Sequence, residues 1–160
     1  MKLHFAKNII IFLLHSLANH QETICSYKII NQIWRSSMHI SFEANSFFHD
    51  KDDDVVYGSL QNFNNEIQEH YLNFQRSLAP EDKDGIYLEF DGQENGGFNV
   101  IKSCELSRNK MIIQLLEEIN TLQEIEGFDI SINLDDDTFN EFRDFIAEVF
   151  QGYDNIIAIR

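Results

Sequence analysis

Ile86-Tyr87-Leu88-Glu89-Phe90 is followed by Asp91-Gly92-Gln93-Glu94-Asn95-Gly96-Gly97 and then by the run from Phe98 to Leu106. Two apolar, β-branched stretches separated by a glycine-rich break predict two strands joined by a turn, since glycine permits positive φ. Arg108-Asn109 then reads as a tight reversal, because Asn tolerates the left-handed region. Met111 to Leu116 is expected as a third strand and Phe128 to Leu134 as a fourth. Glu117 to Gly127 lies between them as a polar connection, with Ile119, Leu122 and Ile125 spaced for a helical turn or two.

Upstream, Ile40, Phe42 and Ala44 alternate with His39, Ser41 and Glu43, the period of a half-buried strand. Val55-Val56-Tyr57 predicts a short strand. Asp50-Lys51-Asp52-Asp53-Asp54 is too charged to bury and is expected as a solvated turn. Residues 66–79 fit two periods. Ile67, Tyr71, Phe74 and Leu78 recur at helical spacing, whereas Tyr71, Asn73 and Gln75 alternate with Leu72, Phe74 and Arg76. Pro80 to Gly85 is a loop.

Near the C-terminus, Thr138-x-x-Glu141 has the form of a capping box, preceded by Asp135, Asp136 and Asp137, whose charges suit a helix N-terminus. Phe139, Phe142, Ile146 and Val149 then make one apolar face, and Gly152 stops the helix. Ile156 to Ile159 is a last short strand. The fold class is α+β: a mainly antiparallel sheet of about six to eight short strands with one late amphipathic helix packed on it.

The chain has 160 residues, 43% of them hydrophobic and 14 of them Phe, which excludes a disordered chain. Two cysteines build no disulfide scaffold. A net charge of −15 disfavours nucleic acid as a partner, because phosphate contacts need Lys and Arg. It favours a basic protein instead. The charge is uneven. Residues 1–37 carry Lys2, Lys7, Lys28 and Arg35 against Glu22, a balance of +3. Residues 38–160 balance at −18 and hold all seven glycines and Pro80.

This break divides the chain into a leader or extension, 1–37, and a single acidic domain, 38–160. Lys2 and Lys7 before Ile9-Ile10-Ile11-Phe12-Leu13-Leu14, then Ser16-Leu17-Ala18, outline a signal peptide. The run is too short for a membrane span. A helix packed on the domain fits it equally well. A third reading starts the compact fold at Met38, where the strand pattern begins, and makes Cys104 the one thiol of the domain.

Catalytic and metal motifs fail on spacing. Asp50-x-Asp52-x-Asp54 opens like a calcium loop but has Val55 at the sixth position and Gln61 at the twelfth. Asp135-Asp136-Asp137 puts Phe139 at the fifth. Gly92-x-x-x-Gly96-Gly97 lacks the Lys-Ser or Lys-Thr of a phosphate loop, and a hairpin turn accounts for it better. Cys104 sits inside a strand, where a packed thiol is the plainer account than a Cys–His nucleophile. His39, His49 and His70 have no metal spacing to Cys or Glu. No catalytic residue, metal or cofactor is expected.

Acidic clusters flanked by aromatics remain. Carboxylates that steer and aromatics that anchor are the elements of an interface for a basic partner. The candidate contact residues are Asp52, Asp53, Asp54, Tyr57, Glu81, Asp82, Tyr87, Glu89, Gln93, Glu94 and Asn95.

Asp84-Gly85-Ile86-Tyr87-Leu88-Glu89, then Asp91-Gly92-Gln93 with its glycine-rich turn, and a strand ending in Leu106-Ser107-Arg108-Asn109 resemble the bacterial immunity proteins of polymorphic toxin systems, specifically the family numbered ten. Tyr71-Leu72-Asn73-Phe74-Gln75-Arg76 and the late helix with Phe150 share the likeness. The resemblance covers 38–160 and implies that 66–79 is largely strand. It implies a small cytoplasmic protein, not an enzyme, that binds and neutralises a cognate toxin by covering its active surface. The partner is then a basic toxin protein, with no nucleic acid and no membrane span, and the chain is a monomer or homodimer. An exported protein follows if residues 1–18 are a signal peptide. The competing functions are a small carboxylate- or metal-dependent hydrolase, which needs a deep pocket, and a non-catalytic accessory domain.

Overall fold

The computed structural model describes residues 38–116, 119, 121–122 and 124–160. The readings of 1–37 lie outside them, as do residues 117, 118, 120 and 123 of the polar connection expected from Glu117 to Gly127, whose Ile125 is already the first residue of a strand. The described residues belong to one unit.

Among these residues, ten strands build two five-stranded sheets, with one α-helix late in the chain, an α+β fold. The first sheet has the order β1 (Met38–Ala44), β9 (Ile125–Ile132), β8 (Lys110–Leu115), β7 (Ile101–Ser107), β10 (Ile157–Ile159). The second has β2 (Ser46–Asp52), β3 (Val55–Asn64), β4 (Ile67–Ser77), β5 (Ile86–Phe90), β6 (Gly96–Phe98), all antiparallel meander neighbours. The parallel pairs are β1 with β9 and β7 with β10. The helix, α1, spans Asp136–Val149.

Two asparagines carry the chain from sheet to sheet. Asn45 separates β1 from β2 and docks on β3: its N–H donates to Gln61 O (2.9 Å), its Nδ2 to Phe63 O (2.8 Å), and its Oδ1 accepts from Phe63 N (2.9 Å). Asn99 separates β6 from β7 at φ 57°, a left-handed backbone that Asn tolerates. Its Nδ2 donates to Asp84 O (2.7 Å).

The inner face of the second sheet is set by alternation. Val56, Leu60, Leu72, Phe74, Ile86 and Leu88 are all buried. Helix α1 lies against this face. Phe47 meets Phe142 edge-on at 5.1 Å, and a Cβ on Gly58 would lie 2.7 Å from Phe145 Cζ. Arg76, also on the inner side, donates to Val149 O (2.8 Å) and Gln151 O (2.6 Å), giving the helix C-terminus a cation and two donors. Phe90 joins the sheets, with its ring 5.4 Å from Phe128 and 6.1 Å from Phe42.

Several expectations change. The strand total is ten in two sheets rather than six to eight in one. Asp50-Lys51-Asp52 is the end of strand β2, and the turn shrinks to Asp53-Asp54. An edge strand keeps such charges because one side of it faces water. Residues 67–77 are strand, since β3 and β5 flank them on both sides and reward the period of two. Phe98 to Leu106 is not one strand: the chain leaves β6 at Phe98 and enters the other sheet at Ile101. Arg108-Asn109 does reverse the chain, without positive φ. The helix cap is Asp135, whose Oδ1 accepts from Thr138 N (2.9 Å), so α1 begins one turn before the expected Thr138–Glu141 box.

Candidate functional site

The register of the second sheet places two rows of side chains across its outer face, the one opposite the helix. One row runs Phe48, Ser59, Asn73, Glu89, Gly96. The next runs Asp50, Tyr57, Gln75, Tyr87, Phe98. Gln61 pairs with Tyr71 in a shorter third row. The face is thus polar along its middle and aromatic at both sides. Phe48 and Phe98 are 52% and 53% exposed. Phe48 leans on Tyr57 (ring centroids 6.5 Å) and Phe98 on Tyr87 (5.0 Å).

Between these aromatic flanks lies a trough of ≈ 260 Å³, lined by Phe48, Tyr57, Ser59, Gln61, Asn73, Gln75, Tyr87 and Glu89 among others. That volume is below the roughly 300–1,000 Å³ of a small-molecule pocket. Glu89, only 7% exposed, forms part of the floor. Its Oε1 accepts from Tyr71 OH (3.1 Å) and Asn73 Nδ2 (3.2 Å), and its Oε2 from Tyr87 OH (3.2 Å). Every one of these donors is neutral. None of the ion pairs among the described residues includes Glu89. A buried acid without a cation is unusual, since Glu goes inside chiefly when paired. Two strands along the same row, beyond Asn73, Ser59 is 6% exposed and its Oγ has no hydrogen-bond partner among the described residues.

The phenols are held in their protonated, donating form. Burial, then the hydrogen bond and charge of Glu89, raise Tyr71 and Tyr87 above the ordinary tyrosine value. Tyr57 is raised by burial and by Asp50, to which its hydroxyl donates at 3.3 Å. Gly96 makes room for Tyr87: a Cβ there would overlap the phenol oxygen.

Of the residues picked from sequence, Tyr57, Tyr87 and Glu89 meet on this face. Asp52, Asp53 and Asp54 form the β2–β3 tip, and Glu81 and Asp82 lie in the β4–β5 loop at the same end of the sheet, where Leu78 N donates to Asp54 O (2.6 Å). Asp82 caps its own turn by accepting from Asp84 N, which lowers its carboxyl below the usual range. Gln93, Glu94 and Asn95 form a single helical turn after β5, at the opposite end. Phe48, Ser59, Tyr71, Asn73, Gln75 and Phe98 were not picked. The alternation of Tyr71, Asn73 and Gln75 is the signal for them once 67–77 is strand. Ser59 leaves no sequence signal.

Elsewhere, Cys104 is fully buried and burial pushes its thiol up to about 12, so it packs as a small apolar group. A second hollow, ≈ 320 Å³ beside Pro80 and Tyr153, includes Arg76, whose Nη1 donates to the carbonyls of Val149 and Gln151. Among the described residues no group of three or more His, Cys, Asp or Glu is placed to hold a metal ion. No described helix is long and apolar enough to cross a membrane. No protein-family model matches the chain, and no curated protein matches it.

Proposed function

We propose that this chain is a neutralising partner of a basic protein toxin, acting in the cytoplasm by stoichiometric occlusion and without catalysis. The observation that carries the reading is the outer face of the second sheet. It combines exposed aromatic side chains, Phe48 and Phe98, with a buried carboxylate, Glu89, that has no ion-pair partner among the described residues. Aromatic side chains that bury on docking and shut water out of a polar centre are what protein interfaces are built from. The net charge of −15 supports the same partner, because it draws in a positive surface from a distance. The acidic clusters at Asp52–Asp54 and at Glu81 and Asp82 add to that field from the rim of the sheet. The sequence resemblance to immunity proteins points in the same direction. A nuclease site, built to grip phosphates, is the kind of basic surface this face complements.

The test is to sequence the genes beside this one and co-express any toxin domain they encode; neighbours that encode none contradict the proposal. Cells survive when both are made and die when the toxin is made alone. Equal killing with and without this chain contradicts the proposal, and so does turnover of a substrate by the purified protein unaided.

A further inference from the structure

We infer that the trough of the second sheet receives the guanidinium of one arginine from the partner. The inference deepens the docking reading above and rests on it for the source of that arginine. Three features of the trough define the occupant. Glu89 supplies a carboxylate with four acceptor sites, three of them used by Tyr71, Asn73 and Tyr87. The remaining site is on Oε2, the oxygen bonded to Tyr87. Ser59 Oγ, buried and without a partner among the described residues, is the second acceptor, one strand away from Asn73 and two from Glu89. Tyr57 and Tyr87 belong to the adjacent row and line the same trough with aromatic side chains. A planar cation with several donors and no acceptor suits the chemistry of each of the three.

Other occupants match less of this. A metal ion requires more anionic ligands than one carboxylate among neutral amides and phenols. An ammonium is compact and strongly hydrated, and it gains less from lying flat between aromatic rings. A neutral side chain leaves the charge of Glu89 uncompensated in a site that docking dries out. With the arginine seated, the buried acid gains its cation and Ser59 its hydrogen bond. The position is therefore the energetic centre of the interface, with Phe48 and Phe98 excluding water around it.

The test uses the isotope-labelled full chain, titrated by nuclear magnetic resonance with acetyl-arginine-amide, acetyl-lysine-amide and the neutral isostere acetyl-citrulline-amide. Saturable shifts at Ser59, Asn73 and Glu89 with the arginine probe, weaker ones with lysine and none with citrulline are the expected result. Glu89→Gln, which keeps the shape and an acceptor, weakens the arginine probe by about tenfold or more. Gly96→Ala displaces the Tyr87 phenol, which lines the trough, and weakens the arginine probe too. No saturable shift, equal shifts from citrulline, or an unchanged response in both variants overturns the inference. Rescue by co-expression alongside a silent arginine titration removes only the arginine. A positive titration without rescue removes only the toxin.

Discussion

Gly58 and Glu89 show how single positions set the two faces of one sheet. Gly58 is the inner-face contact for the helix: a Cβ there would lie 2.7 Å from Phe145 Cζ and 2.9 Å from the Phe48 carbonyl oxygen, which is backbone and cannot turn aside. Gly58→Ala is expected to destabilise the protein by about 1–3 kcal/mol, read from urea unfolding, as overpacking does. An unchanged midpoint contradicts the packing. On the outer face the phenols of Tyr71 and Tyr87 are raised by burial and by Glu89. The folded state holds these protons more tightly than the unfolded chain, whose tyrosines titrate near 10. Their contribution is therefore complete below that pH and is lost as pH rises through the folded values. The melting temperature falls in alkali, and the fall is smaller in a Tyr71→Phe, Tyr87→Phe double variant. Identical alkaline profiles contradict the hydrogen bonds to Glu89.

At the scale of elements, the helix is the clamp that covers the inner face of the second sheet. Phe142 is fully buried and meets Phe47, so Phe142→Ala is expected to cost about 3–5 kcal/mol in unfolding free energy, measured by denaturant titration. Asp135 is held below the usual carboxylate range by the Thr138 N–H and hydroxyl. A depressed carboxyl stabilises above its unfolded value and loses that contribution as pH falls. Asp135→Ala should lower the melting temperature at neutral pH and less so in acid, while Asp135→Asn retains most of the cap. An equal loss at both pH values contradicts the role of the charge. These elements differ in how far the sequence reveals them. The apolar positions of α1 are plain from spacing alone. Its start is not, because Asp135 and Thr138 are both good caps and the choice depends on where the preceding strand releases the chain. Strand β2 is hidden since its Asp50-Lys51-Asp52 end faces water at a sheet edge. Strand β4 is ambiguous until its neighbours β3 and β5 are placed, and the aromatic–polar outer face stays hidden with it. Asn65 and Glu66 make the β3–β4 turn with both φ values positive, a geometry more often marked by Asn-Gly. The break between β6 and β7 comes from a crossing between sheets, which no local pattern encodes.

Across the whole molecule, two sheets and a helix leave the outer face of the second sheet uncovered by the described elements, and the acidic loops surround its ends. Tyr57, Tyr87 and Glu89 are legible from sequence as an aromatic–acidic set. Their joining with Phe48, Ser59, Asn73 and Phe98 depends on the register of five strands. Charge steering predicts that association with the partner slows as salt rises toward physiological strength, where the Debye length is about 8 Å. Dissociation, governed by the buried centre, changes less. The most direct measurement is hydroxyl-radical footprinting of the complex with the co-expressed toxin domain, read by mass spectrometry. Phe48 and Phe98 are about half exposed in the free chain and should lose their reactivity on binding, while Ile67, 68% exposed at the β3–β4 tip, keeps it. Phe48 and Phe98 oxidised at the free-chain rate, with protection confined to other surfaces, would contradict the account.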